Sequence, residues 1–253
     1  MHFEVRLDKA ASSKIYIRDV INSSRTPWLL QHVGKNIDKE TLDAAKDLSA
    51  PLYFSLITPE DLEAYVSKFK FVFDRLLALH DNYWSDNLVN LHEVNNMLKK
   101  IMADYGEAIA EEICLHTGTE WSTNKIVICP AAYIGGTVQR NEVYVGINNK
   151  AEDDCIGVLI HELVHINTDE EYKRLQNQFK SGEAAKEITA TLITNKVIDS
   201  LNNRFNLNYN YQEISAEQKK EFGKIYKELD ARTKNANTFK SMLTEIDKAI
   251  YSN

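Results

Sequence analysis

Gly157-Val158-Leu159-Ile160-His161-Glu162-Leu163-Val164-His165-Ile166 is the stretch from which the rest of the chain is read. Set on a helix, residues four apart lie about 40° apart around the axis and about 6 Å along it, so His161 and His165 aim two imidazoles at one point. Glu162 lies about 100° further round, near enough to touch a water held at that point without sharing the ligand pair. No Gly or Pro interrupts residues 158–167, and apart from these three side chains and Asn167 the segment is aliphatic. A half-buried helix keeps polar residues along one face; burying these three without a metal would strand hydrogen-bonding groups. The spacing is that of a bidentate zinc clamp with a general base beside it. The competing reading is an ordinary buried helix in which two histidines and a glutamate coincide.

The motif, Val158-Leu-Ile-His161-Glu162-Leu-Val-His165-Ile166, resembles the active-site helix of the zincin metallopeptidases, the HExxH enzymes, with uncharged residues between the histidines and apolar ones around them. Asn167 departs from the extended pattern, which expects a hydrophobic residue there. The likeness is specific over about ten residues and looser over residues 125–195. It implies a mostly helical α+β fold: a zincin-like core, a small mixed or antiparallel sheet packed against the motif helix, and long flanking helices. It also implies zinc (Zn2+) as cofactor and a peptide or protein as substrate. Hydrolysis would proceed through a metal-activated water, with Glu162 taking its proton.

A catalytic zinc site needs a third protein ligand and an open position. None of the seven histidines follows His165, and the three-histidine metzincin pattern wants Gly and His where this chain has Thr168 and Glu171. A carboxylate remains. Glu187 ranks first, with the small neighbours Ala184, Ala190, Thr191 and Thr194 allowing close approach to the motif helix. A glutamate on a later helix is similar to the gluzincin arrangement, although that family often carries Asp where Thr191 stands, to orient a histidine. Glu183 and Glu171 are the other candidates. Each has the ordinary alternative of a solvated helix carboxylate. For the donor facing the developing oxyanion, the polar stretch after residue 201 offers Tyr209, Tyr211 or Arg204. An extended substrate is expected on the edge of the sheet, along residues 133–138. His80, His92 and His116 read as helix residues with no role in the site.

The whole chain agrees with a globular, helix-rich protein. It has 253 residues, 43% hydrophobic and 26% charged, with nine Gly and four Pro. A net charge of −7 and the lack of any Lys/Arg block argue against a nucleic-acid surface. No apolar run reaches the length of a bilayer span, and the first residues lack a signal-peptide layout, so no membrane association and a cytoplasmic location are expected. Cys114, Cys129 and Cys155 read as small buried hydrophobes.

Two regions are expected: a helical one over residues 1–84, and a zincin-like core with C-terminal helices over 85–253. Residues 3–7 alternate as a short strand, and 38–48 have helical spacing, with Pro51 beyond them. Thr58-Pro59-Glu60-Asp61 starts a helix that runs to about His80, with an apolar stripe including Phe69, Phe73, Leu76 and Leu77. A second helix covers 87–116 and stops at Gly118. Strands are predicted at 125–129, 133–138 and 142–147, and Gly135-Gly136 invites a bulge or close backbone approach. Asn149 and Glu152 resemble a capping box opening the motif helix, predicted over 150–167. A further helix covers about 181–201, followed by an Asn-rich loop at 202–211. Residues 215–250 then read as amphipathic helix. Two rivals to a general peptidase follow: a non-catalytic protein on a zincin-like scaffold, and a regulatory peptidase serving one protein partner.

Overall fold

The alternation in Glu142-Val-Tyr-Val-Gly-Ile147 predicts a strand with Val143, Val145 and Ile147 on one face and Tyr144 and Gly146 on the other, and that strand lies inside a four-stranded sheet. The computed structural model describes residues 1–23, 37–49, 59–132, 136–147, 151–179, 182–209, 236 and 238–251. Within them the strands are β1 (His2–Val5), β2 (Lys125–Ala131), β3 (Gly136–Gln139) and β4 (Glu142–Gly146), in the order β1-β2-β4-β3. β1 and β4 run parallel to β2, and β3 runs antiparallel to β4, so the sheet is mixed. His2 stands opposite Lys125, which joins the start of the chain to the strands that follow Gly118.

The helices are α1 (Lys9–Ser23), α2 (Lys39–Ser49), α3 (Pro59–Asp86), α4 (Leu88–Thr117), α5 (Glu152–Leu175), α6 (Gly182–Phe205) and α7 (Phe239–Tyr251). The chain is thus mostly helical with a small mixed sheet. None of its described helices is long and apolar enough to cross a membrane.

Two helical layers sandwich the sheet. Ile126, Ile128, Val143 and Val145 share a core with α4, α5, α6 and α7. Cys129, Ala131 and Tyr144, on the opposite face, pack with α1, α2 and α3. Both faces of β2 and β4 are therefore dry, which is why Ile126-Val-Ile-Cys129 is apolar throughout rather than alternating. Burying each such aliphatic side chain contributes about 1.5–3 kcal/mol. Cys129 and Cys155 are buried as expected, Cys114 is half-buried, and all three are free.

Several boundaries differ from the sequence expectation, each for a local reason. α1 was not foreseen, because its serines and β-branched residues are weak helix formers. Its start is nevertheless marked: Asp8 Oδ1 accepts the Ala11 N–H at 2.9 Å, an N-cap. Asp38 caps α2 in the same way, through the Thr41 N–H at 2.8 Å. α3 runs past His80 to Asp86, since no Gly or Pro intervenes. Beyond residue 66 its buried positions are Val72, Leu76, His80 and Trp84, four apart, while Phe69 is exposed and stacks on Phe73. α4 ends as predicted, with Gly118 left-handed at φ 65° and its N–H on the Cys114 carbonyl.

α5 extends two turns beyond Asn167. The Thr168 hydroxyl folds back onto the Val164 carbonyl at 2.8 Å, and Lys173 pairs with Asp169 one turn apart at 2.6 Å, so the charged exit continues the helix. Its N-cap is Ala151, with no side-chain bond. Glu152 is occupied elsewhere, so it closes no capping box; Asn149 lies outside the described residues. α6 also runs on, through the first residues of the expected Asn-rich loop, until Asn206 turns left-handed at φ 54°. Phe239, Met242, Leu243 and Ile246 of α7 are buried as their spacing predicts. The start signal at Thr58, residues 133–135 of the expected edge strand and residues 210–235 lie outside the described residues.

Candidate metal centre

α5 is enclosed by the sheet, α4 and α6, so nearly every position between Cys155 and Thr168 is buried. That enclosure explains the continuous aliphatic run, which a one-sided amphipathic helix would not show. Into it the helix carries His165, 6% exposed, Glu162, 8% exposed, and the partly open His161. Asn167, the departure from the motif pattern, is buried and bonded. Thr117 Oγ1 lies 2.7 Å from its Oδ1, and its Nδ2 donates to the Thr119 carbonyl at 3.1 Å. A polar residue there ties α5 to the end of α4.

α6 brings the third group. Ala185, Thr189, Ala190, Thr191 and Thr194 are buried, and the three threonine hydroxyls donate to their own helix at Ala185, Glu187 and Ala190. This small, self-satisfied face lets α6 lie close to α5. Glu187 then reaches across: its Oε2 is 3.3 Å from His161 Nε2 and its Oε1 is 3.3 Å from His165 Nε2. The two Nε2 atoms are 3.0 Å apart, with the rings edge to face at 80°.

These three separations test the donor set against an ion. Zinc bonds of about 2.0–2.2 Å in tetrahedral geometry place neighbouring ligand atoms about 3.3 Å apart. Each observed separation is close to that edge, the two from Glu187 running to different oxygens, and two imidazoles with one carboxylate are a catalytic rather than a structural zinc set. His161, His165 and Glu187 are also the described residues whose ligand atoms cluster within 4.8 Å as a potential metal site. Behind them the support is thinner. His161 Nδ1 and His165 Nδ1 are buried with no hydrogen-bond partner among the described residues, and the Thr191 hydroxyl is turned to the Glu187 carbonyl instead. Among the described residues, ring orientation therefore rests on packing rather than on an acceptor behind each histidine.

The electrostatics follow from these contacts. Burial would push the Glu187 carboxyl up, but hydrogen bonds from both imidazoles outweigh it and hold the group well below the usual carboxylate range. Burial would lower the His165 imidazole, yet its bond to Glu187 and the charge there raise it. Glu162 is pushed up by burial, against the opposing charges of the two histidines. Its carboxylate packs on β3, where Gly136 leaves room for it.

Other expected participants stand elsewhere. Tyr209 is not at the cluster: its hydroxyl donates to Glu152 Oε1 at 2.8 Å, at the start of α5 and about 14 Å along the axis from His161. Lys100 joins that carboxylate at 3.2 Å. Arg204 pairs with Glu111 at 2.9 Å on the surface. Arg204 stands about 25 Å along α6 from Glu187, so neither it nor Tyr209 is brought to the cluster. Glu171 pairs with Arg174 rather than with the histidines. Tyr211 and the side chain of Glu183 lie outside the described residues. The seating of Glu162 against Gly136 was legible only as the invitation to close approach in Gly135-Gly136. Comparison with protein-family models, with curated proteins and with solved structures finds no match to this chain.

Proposed function

We propose that this chain is a metallohydrolase of the zincin class, gluzincin-like in drawing its third ligand from a helix beyond the motif. More particularly, we read it as a zinc-dependent peptidase acting on peptide or protein substrates. The observation that carries the reading is the convergence of His161, His165 and Glu187, with edges of 3.0–3.3 Å, beside the buried carboxylate of Glu162. A zinc ion held by those three residues would supply Lewis-acid chemistry, polarising a carbonyl and making a water acidic enough to attack it near neutral pH.

The protein's own part is proton handling and exclusion of solvent. Glu162 takes the proton of the attacking water and returns it to the leaving amine, as one carboxylate serving as base and then acid. Glu162 is buried where α5 packs on the β3 backbone, so its basicity is set by burial and by the neighbouring imidazoles. Gly136, lacking a side chain, lets Glu162 and Val158 pack directly on the strand backbone, which seats the carboxylate at the edge of the sheet.

Zinc content and peptide hydrolysis measured on wild type, His161→Ala and Glu162→Gln test this. The histidine change is expected to strip the metal; the glutamine change is expected to keep it and abolish hydrolysis. A Glu162→Gln protein as active as wild type removes the base assignment, and a wild type that binds no zinc removes the whole reading.

A further inference from the structure

β3 is an edge strand: β4 pairs with one side of it, and no described strand pairs with the other. Along an antiparallel pair, successive residues alternate between facing the partner strand and facing away. The Val138 carbonyl faces away from β4, since it accepts a hydrogen bond from Arg18 Nη1 at 3.2 Å. Gly136, one repeat earlier, therefore turns its own N–H and C=O outward as well. These are the groups on which an extended peptide would add as a further strand.

The two positions are not equivalent. Gly136 has no side chain and backs directly onto Glu162. At Val138 the acceptor is already taken. Arg18 reaches it from α1, in the helical layer on the face of the sheet opposite α5. Its guanidinium is held on several sides: Nε and Nη2 donate to Asp19 Oδ1 at 2.8 and 2.7 Å, and Nη2 also donates to Thr137 Oγ1 at 2.9 Å. A planar fork bound at this many points does not swing aside as a lone lysine would. Asp19 also balances its charge, so Arg18 serves as a barrier more than as a binder of acidic side chains.

We propose that Arg18, fixed by Asp19, is a specificity-determining residue: it ends the substrate cleft at Val138 and limits how many residues a peptide carries past the scissile bond on that side. The inference rests on the peptidase reading above. Antiparallel addition, the stabler pairing, runs the amino-terminal part of the peptide toward Val138. Extended residues rise about 3.3 Å each, so between Gly136, where Glu162 stands, and the covered carbonyl there is room for about two. The substrates so defined are peptides cut close to their amino end.

The test uses the full chain loaded with one equivalent of zinc, as wild type, Arg18→Ala and Arg18→Lys. Peptides are lengthened one residue at a time on either side of a bond located by mass spectrometry. In wild type, kcat/KM levels off once about two residues precede the bond. In Arg18→Ala it continues to rise, roughly threefold to tenfold for each further hydrogen-bonded pair. Arg18→Lys, which keeps the charge without the fork, follows Arg18→Ala. Lengthening on the carboxyl side affects all three alike, and equal zinc content and Tm show that the fold is kept. Parallel length profiles on the amino side in wild type and Arg18→Ala overturn the proposal. If wild type cleaves none of the series, the peptidase reading falls instead. Calorimetric titration of the same peptides onto Glu162→Gln and onto Glu162→Gln with Arg18→Ala then reads the barrier alone. Tightening with length only where Arg18 is gone supports it; equal length dependence, or no binding by either protein, overturns it.

Discussion

Gly136 of β3 and Glu162 of α5 touch so closely that a β-carbon on the glycine would stand 2.5 Å from Glu162 Oε1 and 2.8 Å from its Cγ. Val158 Cγ1 would lie 2.6 Å from the same added atom, so the added methyl would have to push the carboxylate aside and press on the helix beneath it. Gly136→Ala is therefore expected to displace the carboxylate and lower kcat by roughly 100-fold, within the range of a lost general base. Zinc content should stay at the wild-type level. Pairing it with Glu162→Asp, one methylene shorter, should make the alanine far less costly than it is in the wild-type background. Loss of zinc in parallel with activity would show instead that the strand as a whole had moved.

Glu187 contributes one oxygen to each histidine, so its charge matters as much as its shape. Glu187→Gln retains the size and loses the charge. Its zinc affinity is expected to fall by more than about 100-fold, beyond the 10- to 100-fold usual for partners behind the ligands. Competition with a chromophoric chelator measures this. An unchanged affinity would mean that the third ligand is another carboxylate.

Asn167 occupies a position where the zincin pattern has an apolar residue, yet both ends of its amide are engaged with residues at the end of α4. Asn167→Leu leaves the Thr119 carbonyl without its amide donor, and the expected loss is about 1–3 kcal/mol. Urea unfolding gives the value. Zinc binding by the folded protein should not change, because the amide faces α4 and not the histidines.

His80 offers a pH test away from the metal cluster. It is fully buried among Ser12, Tyr16 and Trp84, with Ser12 Oγ 3.0 Å from Nε2, and Asp81 and Lys9 are the charged groups near it. Burial lowers its pKa from 6.5 to about 4. The unfolded chain therefore takes up this proton first. Above about pH 6.5 neither state carries it and His80 has no effect; as pH falls from there to about 4 the folded state loses stability, by roughly 3 kcal/mol at most. Unfolding free energy measured across that window should fall less steeply, by about one proton, in His80→Gln. Identical slopes would place the acid sensitivity elsewhere.

What could be read without coordinates was whatever depends on neighbours along the chain. His161, Glu162 and His165 stand at spacings that a helix turns directly into a pair of convergent imidazoles and an adjacent carboxylate. The end of α4 at Gly118, the division of β4 between two faces and the inward positions of α7 followed from the same local rules. Glu187 could be ranked first because its small neighbours advertise close helix packing, but rank was the limit. Glu171, equally acidic and nearer in sequence, faces Arg174.

Tertiary structure decided the rest, because those relations join residues far apart in the chain through packing that no periodicity encodes. It put Glu187 across from both histidines, turned Tyr209 away to Glu152, and explained Asn167 by a threonine at the end of α4 and a carbonyl just beyond it. It also brought Arg18 from an unforeseen helix to the edge of β3. A helix converts sequence spacing into direction on its own; which partner waits in that direction is set only when the layers close.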